Sequence, residues 1–248
     1  MADFPRLALA DVDSTNLEAM RRARAGEPGP LWITATTQNQ GRGRLGREWV
    51  SEIGNLYATL LLRPSCPLAL ASGLGFVAAL SLADCFEQLA PEIHFQLKWP
   101  NDVLANGGKI AGILIETELL DGQLCAAIGC GLNLNHFPSE TRYPATSLKV
   151  LGAKTDPETA FAALNKSMAA RLSEWDEGRG FASISQAWTQ KAFHLGKLIT
   201  LDIGSEMLTG RFNGLADDGA MLLELNTGEM RAIHAGEVRA TQMPKVNS

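Results

Sequence analysis

Residues 109–135 read KIAGILIETELLDGQLCAAIGCGLNLN, two apolar runs on either side of the short turn DGQ at 121–123. Two extended runs joined by a turn that contains Asp-Gly predict a β-hairpin. Each run is almost continuously apolar, a pattern typical of strands that are buried on both faces. This stretch therefore predicts a buried hairpin at the centre of the fold.

Strands and helices are mixed on both sides of this hairpin. The runs LWITATT at 31–37 and NLYATLLLRP at 55–64 predict strands. Residues 68–90 carry apolar side chains on nearly every face and predict a mostly buried helix, and apolar residues at helical spacing predict another helix over 161–175. The pattern indicates an α+β domain with a mixed sheet.

The character of the sequence changes near residue 196. From there on, short extended runs alternate with turns such as DDG and NTG, a pattern that predicts a small barrel. A unit of roughly 50 residues is marginally stable alone, so we expect it to dock on the main domain. The predicted domains are residues 1–193 and residues 194–248.

The composition excludes several classes of protein. The chain has 248 residues, 46% of them hydrophobic, which is enough for a real core, and its formal charge of -5 argues against a general nucleic-acid binder. The four cysteines form no CxxC pair and the four histidines show no ligand spacing, so a zinc site is not expected. The longest apolar stretch is interrupted by polar residues, and the N-terminus has no signal-peptide pattern. We expect a soluble cytoplasmic protein with reduced thiols and no membrane partner.

Residues 41–49, GRGRLGREW, place three arginines among three glycines in a loop between two predicted strands. Glycines let the backbone approach a ligand closely, and amides and guanidinium groups can hold phosphate or carboxylate oxygens. A solvated basic turn is the alternative, but Trp49 favours a nucleotide because an aromatic ring can stack on a base. The chain has no GxxxxGK[ST] motif, and GRGRLG does not open a helix as a dinucleotide fingerprint would. This segment, here called the arginine loop, predicts an anion site.

Two lysines flank a second turn. KWPNDV at 98–103 and KIAGILIE at 109–116 are separated by a segment that contains NGG, so Lys98 and Lys109 lie at strand edges that face one turn. Both ammonium groups could therefore reach one anion. The alternative is that each lysine is a solvated charge at the end of a strand.

Together, the arginine loop, KWPND, KIAGILIE and GCGLNLN at 129–135 resemble, in this order and spacing, the motifs of biotin protein ligases. The resemblance covers nearly the whole chain, from DSTN at 13–16 to the C-terminal barrel. It implies a class II synthetase-like catalytic domain with a mixed sheet, followed by an SH3-like barrel. It also implies that ATP activates biotin to biotinyl-5'-AMP, with Mg²⁺ on the triphosphate, and that biotin then passes to a lysine of a biotin carboxyl carrier protein or domain.

The resemblance implies roles for individual residues by motif position. Lys109 and Arg44 are candidates for the chemical step, and Asp102 is a candidate for deprotonating or orienting the acceptor lysine. The candidates for biotin binding are Ser14, Thr15, Gln38, Gly41, Arg42, Arg44, Lys109, Gly112, Gly129 and Gly131. The candidates for ATP and adenylate binding are Arg42, Arg44, Arg47, Trp49, Asn101, Lys109, Asn133 and Arg239. No direct protein ligand for a metal ion is expected. Helix capping is the alternative role for Ser14 and Thr15, and ordinary strand geometry is the alternative for the glycines.

The sequence departs from the family pattern in two ways. Leu45 stands where some members have an arginine, so one positive charge of the loop is missing. The chain also begins about ten residues before DSTN, so the DNA-binding domain and repressor role of some members are not expected. A homodimer is possible. The alternatives to a biotin ligase are a lipoate or octanoate protein ligase of the same superfamily, and a non-catalytic nucleotide- or RNA-binding module.

Overall fold

The computed structural model describes residues 3–139 and 143–239. Its larger part is a seven-stranded sheet in the order β1-β2-β3-β7-β6-β5-β4, in which β1 and β2 are parallel and the other neighbours antiparallel. The strands are β1 Arg6–Val12, β2 Leu31–Gln38, β3 Leu56–Leu62, β4 Phe95–Lys98, β5 Asp102–Ala105, β6 Gly108–Leu120 and β7 Gln123–Leu132. The helices are α1 Thr15–Arg24, α2 Leu68–Ala71, α3 Gly73–Leu89, α4 Pro157–Trp175 and α5 Phe181–Gln190. The predicted α+β fold with a mixed sheet is confirmed.

The hairpin predicted from residues 109–135 is formed by β6 and β7. Its two-residue turn is Asp121 and Gly122, whose φ angles of 50° and 77° give the left-handed backbone that suits the twist of a tight hairpin. The pair lies in the interior of the sheet, between β3 and β5. Its position explains why both strands are apolar over most of their length.

Helices cover both faces of this central pair. On one face, Ile113 and Ile128 belong to a large core that includes most of α3 and much of α4. On the other face, Ala127 packs in a smaller core with Ala19 and Met20 of α1. Burial on both faces, as expected from the sequence, follows from these two layers of helix.

The segment predicted as one helix over 68–90 is helical from Leu68 to Leu89 in two pieces that meet at Ser72, whose φ of -56° and ψ of -30° keep the backbone right-handed helical. Gly73 opens α3 at a crowded point, where a Cβ atom would lie 2.7 Å from Trp175 Nε1. Within the described chain, Leu68–Leu89 is the one stretch long and apolar enough to cross a membrane, and 67% of its most apolar window is buried in the fold. Its side chains contribute to the core between the sheet and α4.

Part of the face covered by α1 stays open because glycines replace side chains there. Gly112 of β6 lies opposite Gly131 of β7, and Gly129 lies opposite Leu114. Gly131, Gly112, Asp102 and Lys98 form one row across four neighbouring strands. In this row Asp102 of β5 lies opposite Gly112, and Lys98 of β4 lies opposite Asp102. Because directly opposed residues of a sheet project from the same face, this register sets two charged side chains beside the recess formed by Gly112, Gly129 and Gly131. That recess is called the glycine shelf below.

The C-terminal part is a five-stranded antiparallel sheet of order β11-β10-β9-β8-β12. Its strands are β8 Leu198–Asp202, β9 Met207–Leu215, β10 Met221–Leu225, β11 Met230–Ile233 and β12 Glu237–Arg239. Phe212 of β9 packs edge-on against Trp188 of α5, with ring centroids 6.4 Å apart. The small barrel-like unit therefore docks on α5 of the main domain, as predicted, while the boundary between residues 193 and 194 stays a prediction.

Candidate functional site

The arginine loop folds over the glycine shelf. Its own backbone closes it, because the Trp49 amide donates to the Gly41 carbonyl at 2.9 Å and the Gly43 amide donates to the Arg47 carbonyl at 2.7 Å. Gly41 is needed for this closure, since a Cβ atom there would lie 2.3 Å from the Trp49 carbonyl oxygen. Leu45 lies at the tip with φ of 57° and is 79% exposed, so the residue that departs from the family pattern makes no buried contact.

A small cavity of about 50 Å³ lies between the loop and the shelf. Its lining consists of Ser14, Thr15, Asn16, Gln38, Arg42, Gly43, Trp49, Tyr57, Asn101, Lys109, Gly112, Ile113, Leu114, Gly129, Cys130 and Gly131. Eight of the ten residues predicted for biotin binding are in this set. The other two are Gly41, which serves the loop backbone, and Arg44, which faces a second cavity. We call this the smaller cavity.

The polar end of the smaller cavity is built at the start of α1. Ser14 occupies the N-cap position, yet its side chain makes no capping hydrogen bond, so the alternative role considered for it is not used. Gln38 Oε1 accepts from the Thr15 amide at 2.8 Å and from the Thr15 hydroxyl at 3.0 Å. Gln38 Nε2 donates to Ser51 at 3.0 Å. Hydroxyl and amide groups that both donate and accept are thus gathered at one end of the recess.

A partly buried polar network that the sequence analysis missed connects this end to the arginine loop. Asn16 Nδ2 donates to Glu116 Oε2 at 2.9 Å, and Arg42 Nη2 donates to both oxygens of the same carboxylate at 3.0 and 2.9 Å. On its other side, Asn16 Oδ1 lies 2.7 Å from the Thr59 hydroxyl. Asn16 and Glu116 stand inside the quoted motifs DSTN and KIAGILIE, so the signal was present but not interpreted.

Close approach at Gly129 makes room for that network. A Cβ atom on Gly129 would lie 2.2 Å from Asn16 Oδ1 and 3.1 Å from the Leu114 carbonyl oxygen. Real Cβ atoms do not approach this closely, so Asn16 can hold Glu116 only when residue 129 has no side chain. The glycine is therefore required by tertiary contact and not only by strand geometry.

Trp49 occupies much of the space above the shelf. A Cβ atom on Gly131 would lie 2.5 Å from the Trp49 ring, and one on Gly112 would lie 2.8 Å from it. The indole nitrogen is buried with no hydrogen-bond partner among the described residues. Most ligand pockets hold roughly 300–1,000 Å³, so the ring occupies space that a small molecule in the smaller cavity would need.

A second cavity of about 390 Å³, the larger cavity, lies between the arginine loop, the turn after β4 and the barrel. Its lining consists of Gly43, Arg44, Leu45, Arg47, Glu48, Trp49, Val50, Lys98, Trp99, Pro100, Asn101, Asp102, Lys109, Asn133, Pro138, Tyr143, Ala145, Gly236, Glu237 and Val238. Gly43, Trp49, Asn101 and Lys109 line both cavities. The two spaces therefore meet at Lys109.

Lys109 is held by a carboxylate at this junction. Its Nζ lies 2.6 Å from Asp102 Oδ1, and both side chains are largely buried. The same Nζ lies 5.3 Å from the centre of the Trp49 ring, within cation-π range. The structure thus brings together Lys109, Asp102 and Trp49, which come from three separate motifs.

The arginines of the loop have different partners. Arg44 Nη1 donates to Asn101 Oδ1 at 3.0 Å, and burial lowers the pKa of its guanidinium. Arg47 Nη2 pairs with Glu237 of the barrel at 2.6 Å, a hydrogen bond that raises the pKa of Arg47. The loop is therefore tied both to the turn after β4 and to β12.

Asn133 and Arg239, two further candidates for nucleotide binding, lie in different surroundings. Asn133 lines the larger cavity and donates to the Thr146 carbonyl at 3.2 Å. Arg239 pairs with Asp202 of β8, and the structure does not bring it into the lining of either cavity. Its neighbour Glu237 lines the larger cavity instead. The contact between Arg239 and ATP stays a prediction.

Within residues 3–139 and 143–239, no group of three or more His, Cys, Asp or Glu side chains could hold a metal ion. Among the carboxylates that line the larger cavity, Asp102 is paired with Lys109 and Glu237 with Arg47.

Comparison with known proteins agrees with this arrangement. The profile of the biotin/lipoate A/B protein ligase family matches residues 9–134, and that of the biotin protein ligase C-terminal domain matches residues 194–239. The first match contains the glycine shelf, the arginine loop and both lysines. The second match contains the five strands of the barrel-like unit.

Whole-chain relatives and solved structures point the same way. The chain is 40% identical over 238 residues to the biotin-[acetyl-CoA-carboxylase] ligase of Paracoccus denitrificans, covering 93% of this chain and 98% of the relative. It is 31% identical to a bifunctional ligase/repressor of Bacillus subtilis, of which it covers 71%. The structure of the Aquifex aeolicus biotin protein ligase with biotin and ATP matches with a TM-score of 0.78 and 30% identity, covering 95% of this chain and 97% of that one. Taken with the two cavities that meet at Lys109, these matches show that the chain belongs to the biotin protein ligases of the biotin/lipoate A/B protein ligase family.

Proposed function

We propose that this protein activates biotin with ATP to give biotinyl-5'-AMP and pyrophosphate, and then transfers biotin to a lysine of a biotin carboxyl carrier domain. In the first step a biotin carboxylate oxygen attacks the α-phosphorus of ATP, and the bond from that phosphorus to the bridging oxygen of pyrophosphate breaks. In the second step the lysine amine attacks the acyl carbon and AMP leaves. The protein acts as a ligase that uses ATP.

The observation that carries the proposal is the position of Lys109 in the lining of both cavities. The smaller cavity offers donors and acceptors at one end, as the biotin ureido ring requires, and its other end reaches Lys109. The larger cavity offers cations and an aromatic ring, as a nucleotide requires. The carboxylate of biotin in the smaller cavity and the α-phosphate of ATP in the larger cavity would therefore meet at the ammonium group of Lys109.

Electrostatics explains why cations gather at this junction. Two unit negative charges about 4 Å apart repel by about 1 kcal/mol in bulk water and by about 4 kcal/mol at an effective dielectric near 20. The carboxylate and the α-phosphate must approach more closely than that to react. Lys109, Arg42 and Arg44 offset this repulsion from fixed positions, so little reorganisation is needed during the reaction.

Binding of biotin requires Trp49 to leave the glycine shelf. We infer that the ring moves toward the larger cavity, which it already lines, and stacks there on the adenine. Displacement of the ring would expose Gly112 and Gly131 to the ligand. The roles of Asn133 and Arg239 in ATP binding remain part of this proposal.

Mg²⁺ is proposed as the ion that accompanies ATP. The described residues offer no carboxylate cluster for it, so the phosphates would supply most of its oxygen ligands. Bound there, it would neutralise part of the charge of the triphosphate. The residues of this chain orient the nucleotide through Arg44, Lys109 and the side chains around them.

Transfer to the carrier needs a neutral lysine, whose reference pKa is about 10.4. Asp102 remains the candidate for accepting a proton or orienting the amine, and its ion pair with Lys109 supports the orienting role. A cytoplasmic location, the absence of nucleic-acid and membrane partners, and a possible homodimer stay predictions.

The test is incubation with ATP, a carrier domain and either biotin or lipoate, followed by intact-mass measurement of the carrier. We expect a gain of one biotinyl group and no lipoyl group. A gain only with lipoate would favour the lipoate ligase alternative. No gain with either acid would indicate a nucleotide- or RNA-binding module instead.

Substitution of Arg44 by Gly is expected to speed the release of biotinyl-5'-AMP into solution by about 10- to 100-fold, because one charge-assisted hydrogen bond to the phosphate is lost. Stopped-flow dilution of the enzyme-adenylate complex measures this rate. Arg231→Gly is the matched control, since Arg231 lies on the exposed side of the barrel and pairs with Glu206. An unchanged release rate in Arg44→Gly would contradict the clamping role of this arginine.

A further inference from the structure

Lys98 is a cation at the edge of the site to which the motif comparison assigned no role. It ends β4, directly opposite Asp102 of β5, and its side chain lines the larger cavity. Neighbouring strands are about 4.8 Å apart, so Lys98 stands one strand farther from the glycine shelf than the Lys109-Asp102 pair. A molecule that extends from Lys109 along this row of the sheet would reach Lys98 next.

The contacts of the four cations that line the larger cavity differ in kind. Lys109 and Arg47 are paired with carboxylates. In the part of the chain that the structure describes, no carboxylate is ion-paired with Lys98 or Arg44; Lys98 Nζ lies 4.1 Å from the centre of the Tyr143 ring, and Arg44 contacts the Asn101 amide. Among the described residues, these two cations therefore have no carboxylate within ion-pair distance, and Asp102 and Glu237 attract them only from farther away.

Burial of the charged Lys98 and Arg44 side chains costs free energy, and a bound anion would offset that cost. The pKa of Lys98 is lowered, mainly because burial removes water from its ammonium group. The same cause lowers the pKa of Arg44. An anionic ligand between them would restore the balance of charge, and the aromatic ring under Lys98 would hold its ammonium group in place.

We propose that Lys98 binds the β- and γ-phosphates of ATP and stabilises the pyrophosphate leaving group. This inference rests on the proposed function. With the α-phosphate at Lys109, the next two phosphates lie along the row toward Lys98. When the carboxylate oxygen attacks the α-phosphorus, the electron pair of the broken bond stays on the bridging oxygen of pyrophosphate, and Lys98 offsets that added charge. Lys98 is thus assigned as a catalytic residue that touches the leaving group.

Biotin-dependent exchange of labelled pyrophosphate into ATP tests the assignment. In Lys98→Met we expect the KM for pyrophosphate to rise by about 10- to 100-fold, with a parallel rise for ATP. The KM for biotin should not change, and neither should the rate of biotin transfer from added biotinyl-5'-AMP to the carrier. Neither biotin nor biotinyl-5'-AMP contains pyrophosphate. Lys98→Arg should recover most of the pyrophosphate affinity because it keeps the charge.

Lys197→Met is the matched control, because Lys197 is an exposed lysine that lines neither cavity. An unchanged KM for pyrophosphate in Lys98→Met would overturn the assignment. An equal loss for biotin, ATP and transfer, with no recovery in Lys98→Arg, would show that Lys98 only supports the fold and would also overturn it. If the wild-type protein itself catalyses no exchange, the proposed function fails instead.

Discussion

Lys109→Ala is expected to slow the formation of biotinyl-5'-AMP by about 10²- to 10³-fold while the protein remains folded. Lys109 is the cation shared by both cavities, so its removal leaves the carboxylate and the α-phosphate without the charge that lies between them. Biotin-dependent pyrophosphate release from ATP measures the rate. Circular dichroism and thermal unfolding measure the fold.

The fold should survive because the substitution affects one ion pair. Removing Lys109 leaves the Asp102 carboxylate uncompensated, at a cost of about 1–3 kcal/mol, which is less than the stability of a typical domain. Asp102→Asn in the same chain should recover part of that loss without restoring activity. The matched control is Lys149→Ala, an exposed lysine away from both cavities, which should leave the rate unchanged. Undiminished pyrophosphate release in Lys109→Ala would remove this lysine from the chemical step.

The second large effect is expected for Gly129→Ala, which should raise the dissociation constant for biotin by about 10- to 100-fold. The added Cβ atom would meet Asn16 Oδ1 at 2.2 Å and displace the side chain that holds Glu116, and with it Arg42. Overpacking of this kind costs about 1–3 kcal/mol of stability. Calorimetric titration with biotin measures the binding, and denaturant unfolding measures the stability. ATP binding should be less affected, because Gly129 does not line the larger cavity.

Gly75→Ala provides a matched comparison for that substitution. Gly75 lies in α3, where a Cβ atom would meet only Ile115 Cδ1, at 3.8 Å. Alanine is the better helix former by about 1 kcal/mol, so this variant should keep or gain stability and bind biotin normally. Equal biotin affinity in Gly129→Ala and Gly75→Ala would mean that the Asn16 network does not support the biotin site.

Much of the fold was readable because it depends on local pattern. The apolar runs on either side of Asp121 and Gly122 predicted the central hairpin, and helical spacing predicted α4. The interruption of the helix at Ser72 was not predicted, and neither was the close packing beside it, where a Cβ atom on Gly73 would lie 2.7 Å from Trp175 Nε1. The short strand β5 was also missed, because four residues after a turn show too little periodicity to be recognised.

The candidate residues were found as separate motifs, and their grouping depended on the sheet. Nothing local relates Asn16 to Glu116, which are a hundred positions apart, or Arg47 to Glu237 in the barrel. Arg239, which the motif match placed near ATP, pairs with Asp202 of the barrel, and its contact with ATP stays a prediction.

The order of residues along this chain was enough to establish the α+β class, the C-terminal barrel, the cationic loop and the family, because periodicity and motif spacing are properties of neighbouring residues. Tertiary structure alone decided that Lys109 lines both cavities, that Glu116 holds Arg42, and that no carboxylate of the described residues is ion-paired with Lys98. Those relations arise from strand register and from the packing of the loop and barrel over the sheet, which join residues that are distant in the chain.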